Sequence, residues 1–206
     1  MADIFYNLLG KASSQNIASK VNQSREWLMS KARNVVIRSP RSVINQSDNK
    51  TKSIGNSKSF IGKMMLFQYQ ATTAADLPYW DQFPLVFPFK IQGDGFYGIN
   101  LHYLPYMQRA RLLDALYKYA TNEDEDGNAT DETRLRITYQ ILMASSKASL
   151  IKPCVKHYLN RGLRSQFAVV PPSEWEVALF LPLEQFRKGK GGSISSARVH
   201  ADSMRT

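Results

Sequence analysis

An acidic loop, three histidines, one cysteine and a set of spaced arginines and lysines are the groups through which this 206-residue chain can act on another molecule. Asn122, Asp124, Asp126 and Gly127 fall at positions one, three, five and six of an EF-hand calcium loop. The twelfth position needs a bidentate carboxylate but holds Thr133, with Glu132 one residue short, so the segment reads as a solvated turn. His102, His157 and His200 lie in different segments, and no Cys or His stands at metal-ligand spacing from them. His102 alternates with Leu101 and Tyr103 along a predicted strand, which places it on one face beside a polar partner. Cys154 has no His base near it in sequence and reads as a small buried hydrophobe. Gly95-Phe96-Tyr97-Gly98 resembles part of a phosphate loop but lacks the Lys-Ser/Thr ending and lies inside a hairpin. Paired carboxylates and a Ser-His-Asp arrangement are also missing from the pattern, so the sequence assigns no catalytic residue, no metal and no cofactor.

Charge is the stronger signal. Residues 1–63 hold eleven Lys and Arg against three acids, residues 64–184 eleven against thirteen, and residues 185–206 five against one, within a net charge of +10. A near-neutral centre with two basic ends is the asymmetry of a protein that docks on a polyanion, although solubilising tails have the same composition. At the N-terminal end the cations are Arg25, Lys31, Arg33 and Arg38 along one side of a predicted helix, then Arg41. Arg109 and Arg111 follow Pro105 at a predicted helix start, where unpaired backbone N–H groups add to their attraction for phosphate. Lys156, Arg161 and Arg164 form a further cluster near a chain bend.

The elements that must carry these groups are legible in part. Eleven of the 23 Phe, Trp and Tyr fall between Met64 and Tyr106, a stretch broken by Pro, Asp and Gly. Such a composition predicts short strands of a small curved sheet, with Phe60–Gln70, Leu85–Ile91 and Phe96–Leu104 as strands and Gly93-Asp94-Gly95 as a hairpin turn. Pro84 and Pro88 require a strand start, an edge or a bulge. The sheet aromatics are predicted to be core, Phe87 among them; a base-stacking role needs several exposed beside Lys or Arg, and only Lys90 lies in the second strand. A helix after Pro105 buries Leu112, Leu113, Leu116, Tyr117 and Ala120, and Thr133–Ala148 forms another. A third helix is predicted from Pro153 through Val155, Lys156 and Leu159, a strand over Phe167–Val170, and a capped element at Pro172 with Trp175 inward. The fold class is therefore α+β, a small SH3-like barrel or curved antiparallel sheet flanked by helices and extended by basic arms. Residues 1–59 form a helical and extended arm, 60–184 the core domain, and 185–206 a flexible basic tail.

A single cysteine allows no internal disulfide and fits an intracellular or virion setting. The N-terminus lacks a signal-peptide pattern, and the longest apolar run, Val177–Leu183, is too short to span a bilayer. No membrane partner and no small-molecule substrate is expected.

Five motifs carry a resemblance: L-P-Y-W-D-Q-F-P-L-V at Leu77–Val86, D-G-F-Y-G-I-N-L-H-Y-L-P at Asp94–Pro105, R-A-R-L-L-D-A-L at Arg109–Leu116, W-E-V-A-L-F-L-P at Trp175–Pro182 and A-D-S-M at Ala201–Met204. On these motifs the chain resembles, over about residues 64–204, the DNA end protector proteins of T-even-like contractile-tailed phages. The resemblance implies a non-enzymatic virion protein that enters the head at its completion and shields double-stranded DNA termini from host exonuclease. It also implies contacts with other virion proteins of the portal, neck or tail, a location in the virion and in the host cytoplasm during assembly, and no catalytic residues. A structural neck, tail or baseplate protein whose arms bind neighbouring subunits fits the same residues.

Overall fold

Alternating side chains that are apolar on both faces build the centre of the molecule. The computed structural model describes residues 26, 61–120, 140–165, 167–176 and 184–205. Strands β1 (Met64–Leu66), β3 (Leu85–Gln92), β4 (Gly95–Asn100), β5 (Val155–Leu159) and β6 (Ala168–Val170) form one antiparallel sheet in the order β5-β4-β3-β1-β6. A second antiparallel sheet joins β2 (Trp80–Asp81), β7 (Phe186–Arg187) and β8 (Ser193–Ile194) in the order β2-β7-β8. Met64, Leu66, Leu85, Phe87 and Ile99 face a core that also holds Leu113, Leu116, Trp175 and Val199. Met65, Phe67, Val86, Phe96 and Tyr158 pack on the opposite face. Burial on both faces explains why β3 begins as an unbroken apolar run instead of alternating with polar residues.

The α+β class and the antiparallel sheet agree with the sequence reading. β5 and β6 end the larger ladder without pairing to each other, so the described strands form open sheets and not a closed SH3-like barrel. Phe87 is wholly buried and meets Trp175 edge to face with ring centroids 5.4 Å apart. Pro88 sits where the β3–β4 register shifts, since a bulge tolerates a residue that cannot donate to the ladder. Opposite it, Gly98 lies so close to β3 that an added Cβ overlaps Val86 Cγ1 and comes within 3.1 Å of the Phe87 carbonyl oxygen. Gly93 opens the hairpin turn with φ +56°.

Helix α1 (Tyr106–Ala120) begins directly after Pro105 and buries Leu112, Leu113 and Leu116, as its spacing predicts. Residues 140–147 are helical. Three expectations need correction. The returning strand stops at Asn100, whose side chain accepts from the His102 N–H and turns Leu101–Tyr103 into a short 3-10 helix. Pro153 lies in a 3-10 turn over Lys152–Cys154, and Val155, Lys156 and Leu159 form an edge strand pairing with β4, because tertiary pairing overrides a weak helical pattern. The C-terminal segment carries regular structure where a flexible tail is expected. Gly191 and Gly192, with φ +88° and +87°, turn β7 into β8, and Ser195 caps helix α2 (Ser196–Met204). Phe186 and Val199 anchor this segment in the core at 1% and 0% exposure. The N-terminal arm, apart from Glu26, and the acidic loop lie outside the described residues.

Candidate nucleic-acid interface

The chemistry-bearing residues separate into a sealed network and an open surface. In the network, β2 is fixed by its pairing with β7, which aims Asp81 into the interior beside the end of β4. Asp81 Oδ2 accepts from Asn100 Nδ2 at 3.1 Å and from His102 Nδ1 at 2.6 Å, while Oδ1 accepts from the Phe83 N–H at 3.1 Å. An ionised carboxylate only accepts, so His102 carries its proton on Nδ1. Asn100 Nδ2 also donates to the Tyr158 hydroxyl at 3.0 Å. His102 thus has the polar partner expected of it, although it lies in the 3-10 turn and not in a strand. Its Nε2 is buried and hydrogen-bonds to none of the described residues, so the oriented imidazole faces no nucleophile among them.

A second buried pair adjoins the first. Arg109 donates through Nε to the Leu104 carbonyl at 2.7 Å, through Nη2 to the His102 carbonyl at 3.3 Å, and to Glu184 in an ion pair. Burial by itself raises the Glu184 carboxyl, but the Arg109 charge and hydrogen bond, with His102, outweigh it and hold the group below its ordinary value. From α2, His200 Nε2 donates to the same His102 carbonyl at 2.9 Å, and burial lowers its pKa. Cys154 is buried as predicted, and desolvation pushes its thiol up to about 12, away from nucleophilic chemistry.

Two candidate phosphate contacts are engaged by the protein's own groups. Arg109 has no exposed surface, because its guanidinium closes the gap between the start of α1 and Glu184. Lys156 turns inward, its Nζ 4.0 Å above the Tyr103 ring, and burial lowers its pKa. By contrast Arg111, Arg161 and Arg164 are exposed. Arg161 lies within the 3-10 turn Asn160–Gly162 that follows β5 and Arg164 just beyond it, and Arg164 Nη1 donates to the Arg161 carbonyl at 2.9 Å. Burial raises the pKa of the neighbouring Tyr69 phenol, and both guanidinium charges act against that rise. Arg25, Lys31, Arg33, Arg38 and Arg41 lie outside the described residues.

Sequence reasoning missed one surface feature. Lys90, Tyr97 and His157 stand side by side across β3, β4 and β5, because the register pairs Tyr97 with each of the other two. The Tyr97 and His157 rings stack with centroids 4.4 Å apart and planes 8° from parallel, and Lys90 Nζ lies 5.9 Å from the Tyr97 centroid. Lys90 and His157 are exposed and Tyr97 is half-buried. The predicted helix at Pro153 conceals the row, since it appears only when residues 155–159 form a strand.

Among the described residues, no group of three or more His, Cys, Asp and Glu side chains is placed to hold a metal ion. No helix among them is long and apolar enough to cross a membrane. Comparison with curated proteins finds no match, and neither does comparison with solved structures. The family described as phage T4 terminal DNA protecting protein matches residues 5–203, reaching well into the N-terminal arm that the five motifs leave uncovered. With nearly its whole length matched, this chain belongs to that family.

Proposed function

We propose that this protein binds the termini of double-stranded DNA in a T4-like phage and shields them from exonuclease by covering them, without catalysing a reaction. The membership over residues 5–203 is the observation that carries this reading. The net charge of +10 and the exposed Arg111, Arg161 and Arg164 support it, since cations that face solvent can neutralise phosphates. Arg25, Lys31, Arg33, Arg38 and Arg41 add a basic N-terminal segment with the same capacity. In this reading the protein acts in the virion at head completion, next to portal, neck or tail proteins, after assembly in the host cytoplasm.

A titration of exonuclease protection tests the proposal. Linear duplex DNA is incubated with the protein and digested from its ends. The same mass of DNA is then cut once into two fragments and the titration repeated. Protection by end-binding requires twice the protein after the cut, because the number of termini doubles while the number of base pairs is constant. A requirement that follows total base pairs instead identifies general coating. No protection at any ratio moves the protein to a purely structural role in the neck, tail or baseplate.

A further inference from the structure

We infer that the Tyr97–His157 stack is a platform for the terminal base pair of duplex DNA, with Lys90 and Arg161 placed to contact phosphates beside it. This deepens the DNA-terminus reading and rests on it. An end differs from the interior of a duplex in one exposed surface. Every internal base pair is covered on both faces by its neighbours, whereas the last pair leaves one aromatic face open. A protein that offers a free aromatic face therefore recognises an end through the one surface that the interior lacks.

His157 offers such a face. It lies on β5, which ends the larger sheet, so one side of its ring is stacked on Tyr97 and the other points away from β4. The row runs Lys90, Tyr97, His157 across three strands, and a base pair adds to its outer end as the next member. Gly95 leaves the imidazole room, since a Cβ there would come within 3.1 Å of His157 Nε2 as well as overlapping the Tyr158 carbonyl oxygen. The charges agree with the role. Strands β3, β4 and β5 contain no carboxylate, and Asp94 sits in the turn beyond the row. Lys90 is exposed on the row, and exposed Arg161 follows His157 by four residues, within about 14 Å of chain even if fully extended. The other rings of the sheet are committed to packing: Phe67, Phe87, Phe89, Phe96 and Tyr158 are all buried.

The test compares two DNAs of one sequence: a blunt linear duplex, and the same duplex closed at both ends by covalent hairpin loops that cover the terminal pairs. Binding of the full-length protein is measured by fluorescence anisotropy for wild type, His157→Ala and His157→Phe, with thermal melting to confirm that each variant is folded. Wild type is expected to prefer the open-ended duplex. His157→Ala is expected to weaken that binding roughly 5- to 150-fold, the range spanned by loss of one stacked base, and to leave binding to the closed duplex unchanged. His157→Phe should restore the preference, because a phenyl ring keeps the stacking surface without the imidazole's ring nitrogens. If wild type shows no preference for open ends, the end-binding reading itself falls. If the preference exists and His157→Ala retains it, that reading stands and the platform is elsewhere. Equal weakening toward both DNAs, or failure of His157→Phe to restore binding, makes His157 a phosphate contact and overturns the stacking assignment.

Discussion

The two ends of β4 use the same kinds of side chain for opposite purposes. At its root, Asn100 leads into His102, and together with Asp81, Tyr158, Arg109 and Glu184 they form a buried network of ion pairs and hydrogen bonds. Toward its tip, Tyr97 stacks with His157 beside Lys90, in contact with solvent. Histidine, tyrosine and a cation occur in both places. Burial decides the difference: a buried charge must be paired or it costs several kcal/mol, whereas an exposed cation can await a phosphate. The motif residues Asp81, Asn100, His102 and Arg109 are therefore scaffold, whereas Tyr97 and Arg111, in the same motifs, reach the surface.

The buried end is most vulnerable at Arg109. Arg109→Ala should cost about 3–5 kcal/mol, because it strands the Glu184 carboxylate and leaves the Leu104 and His102 carbonyls without their donor. Urea unfolding measures it, and a loss under about 1 kcal/mol would show that the guanidinium is solvated, as surface ion pairs are. Gly98→Val comes next, at about 1–3 kcal/mol or more, since the new side chain collides with Val86 and crowds the backbone of Phe87. Placing it in a Val86→Ala background should recover part of that loss. No recovery would mean that the backbone contact at Phe87 dominates.

Acid should dismantle the buried end while leaving the exposed cations charged. The His200 pKa is lowered from 6.5 in the folded protein, so the unfolded chain takes up its proton first. The stability tied to neutral His200 is present above about 6.5 and is lost as the pH falls through its lower folded value. Glu184, lowered from 4.5, contributes stability above that value and loses it as the pH drops through its own folded value. Thermal melting against pH should fall in two stages, and His200→Gln should remove the first one only. A single stage near the ordinary carboxylate range, about 4, in the unmodified protein would show that His200 is not coupled to folding.

The smallest effect on stability belongs to the open surface. Arg161→Ala with Arg164→Ala should change unfolding by under about 0.5 kcal/mol, as expected of exposed charges. The same pair should reduce the salt slope of DNA binding by about 1.8, or about 0.9 for each phosphate left unneutralised. An unchanged slope with unchanged stability would move the DNA contact to other cations. Deleting residues 1–59 then becomes the deciding measurement, because that segment carries Arg25, Lys31, Arg33, Arg38 and Arg41.

Local sequence was enough to specify the aromatic sheet, the hairpin at Gly93 and the helix after Pro105, and it narrowed Pro88 to a strand start, an edge or a bulge. Each rests on local physics: a turn that needs positive φ, a proline that cannot donate, an apolar stripe at helical spacing. It also indicated the family, because long motifs keep their identity whatever they pack against. Which arginine is scaffold and which is free depends instead on tertiary packing. Arg109 and Arg111 are two residues apart on one helix, yet one is wholly buried and the other exposed, according to the face that meets Glu184. Packing likewise built the C-terminal segment into the fold, since Phe186 gains its burial from Tyr79 and Tyr103, about a hundred positions earlier. The stacking row depends most on the fold. Lys90, Tyr97 and His157 become neighbours through strand register, and register is fixed by pairing between segments that local sequence does not encode.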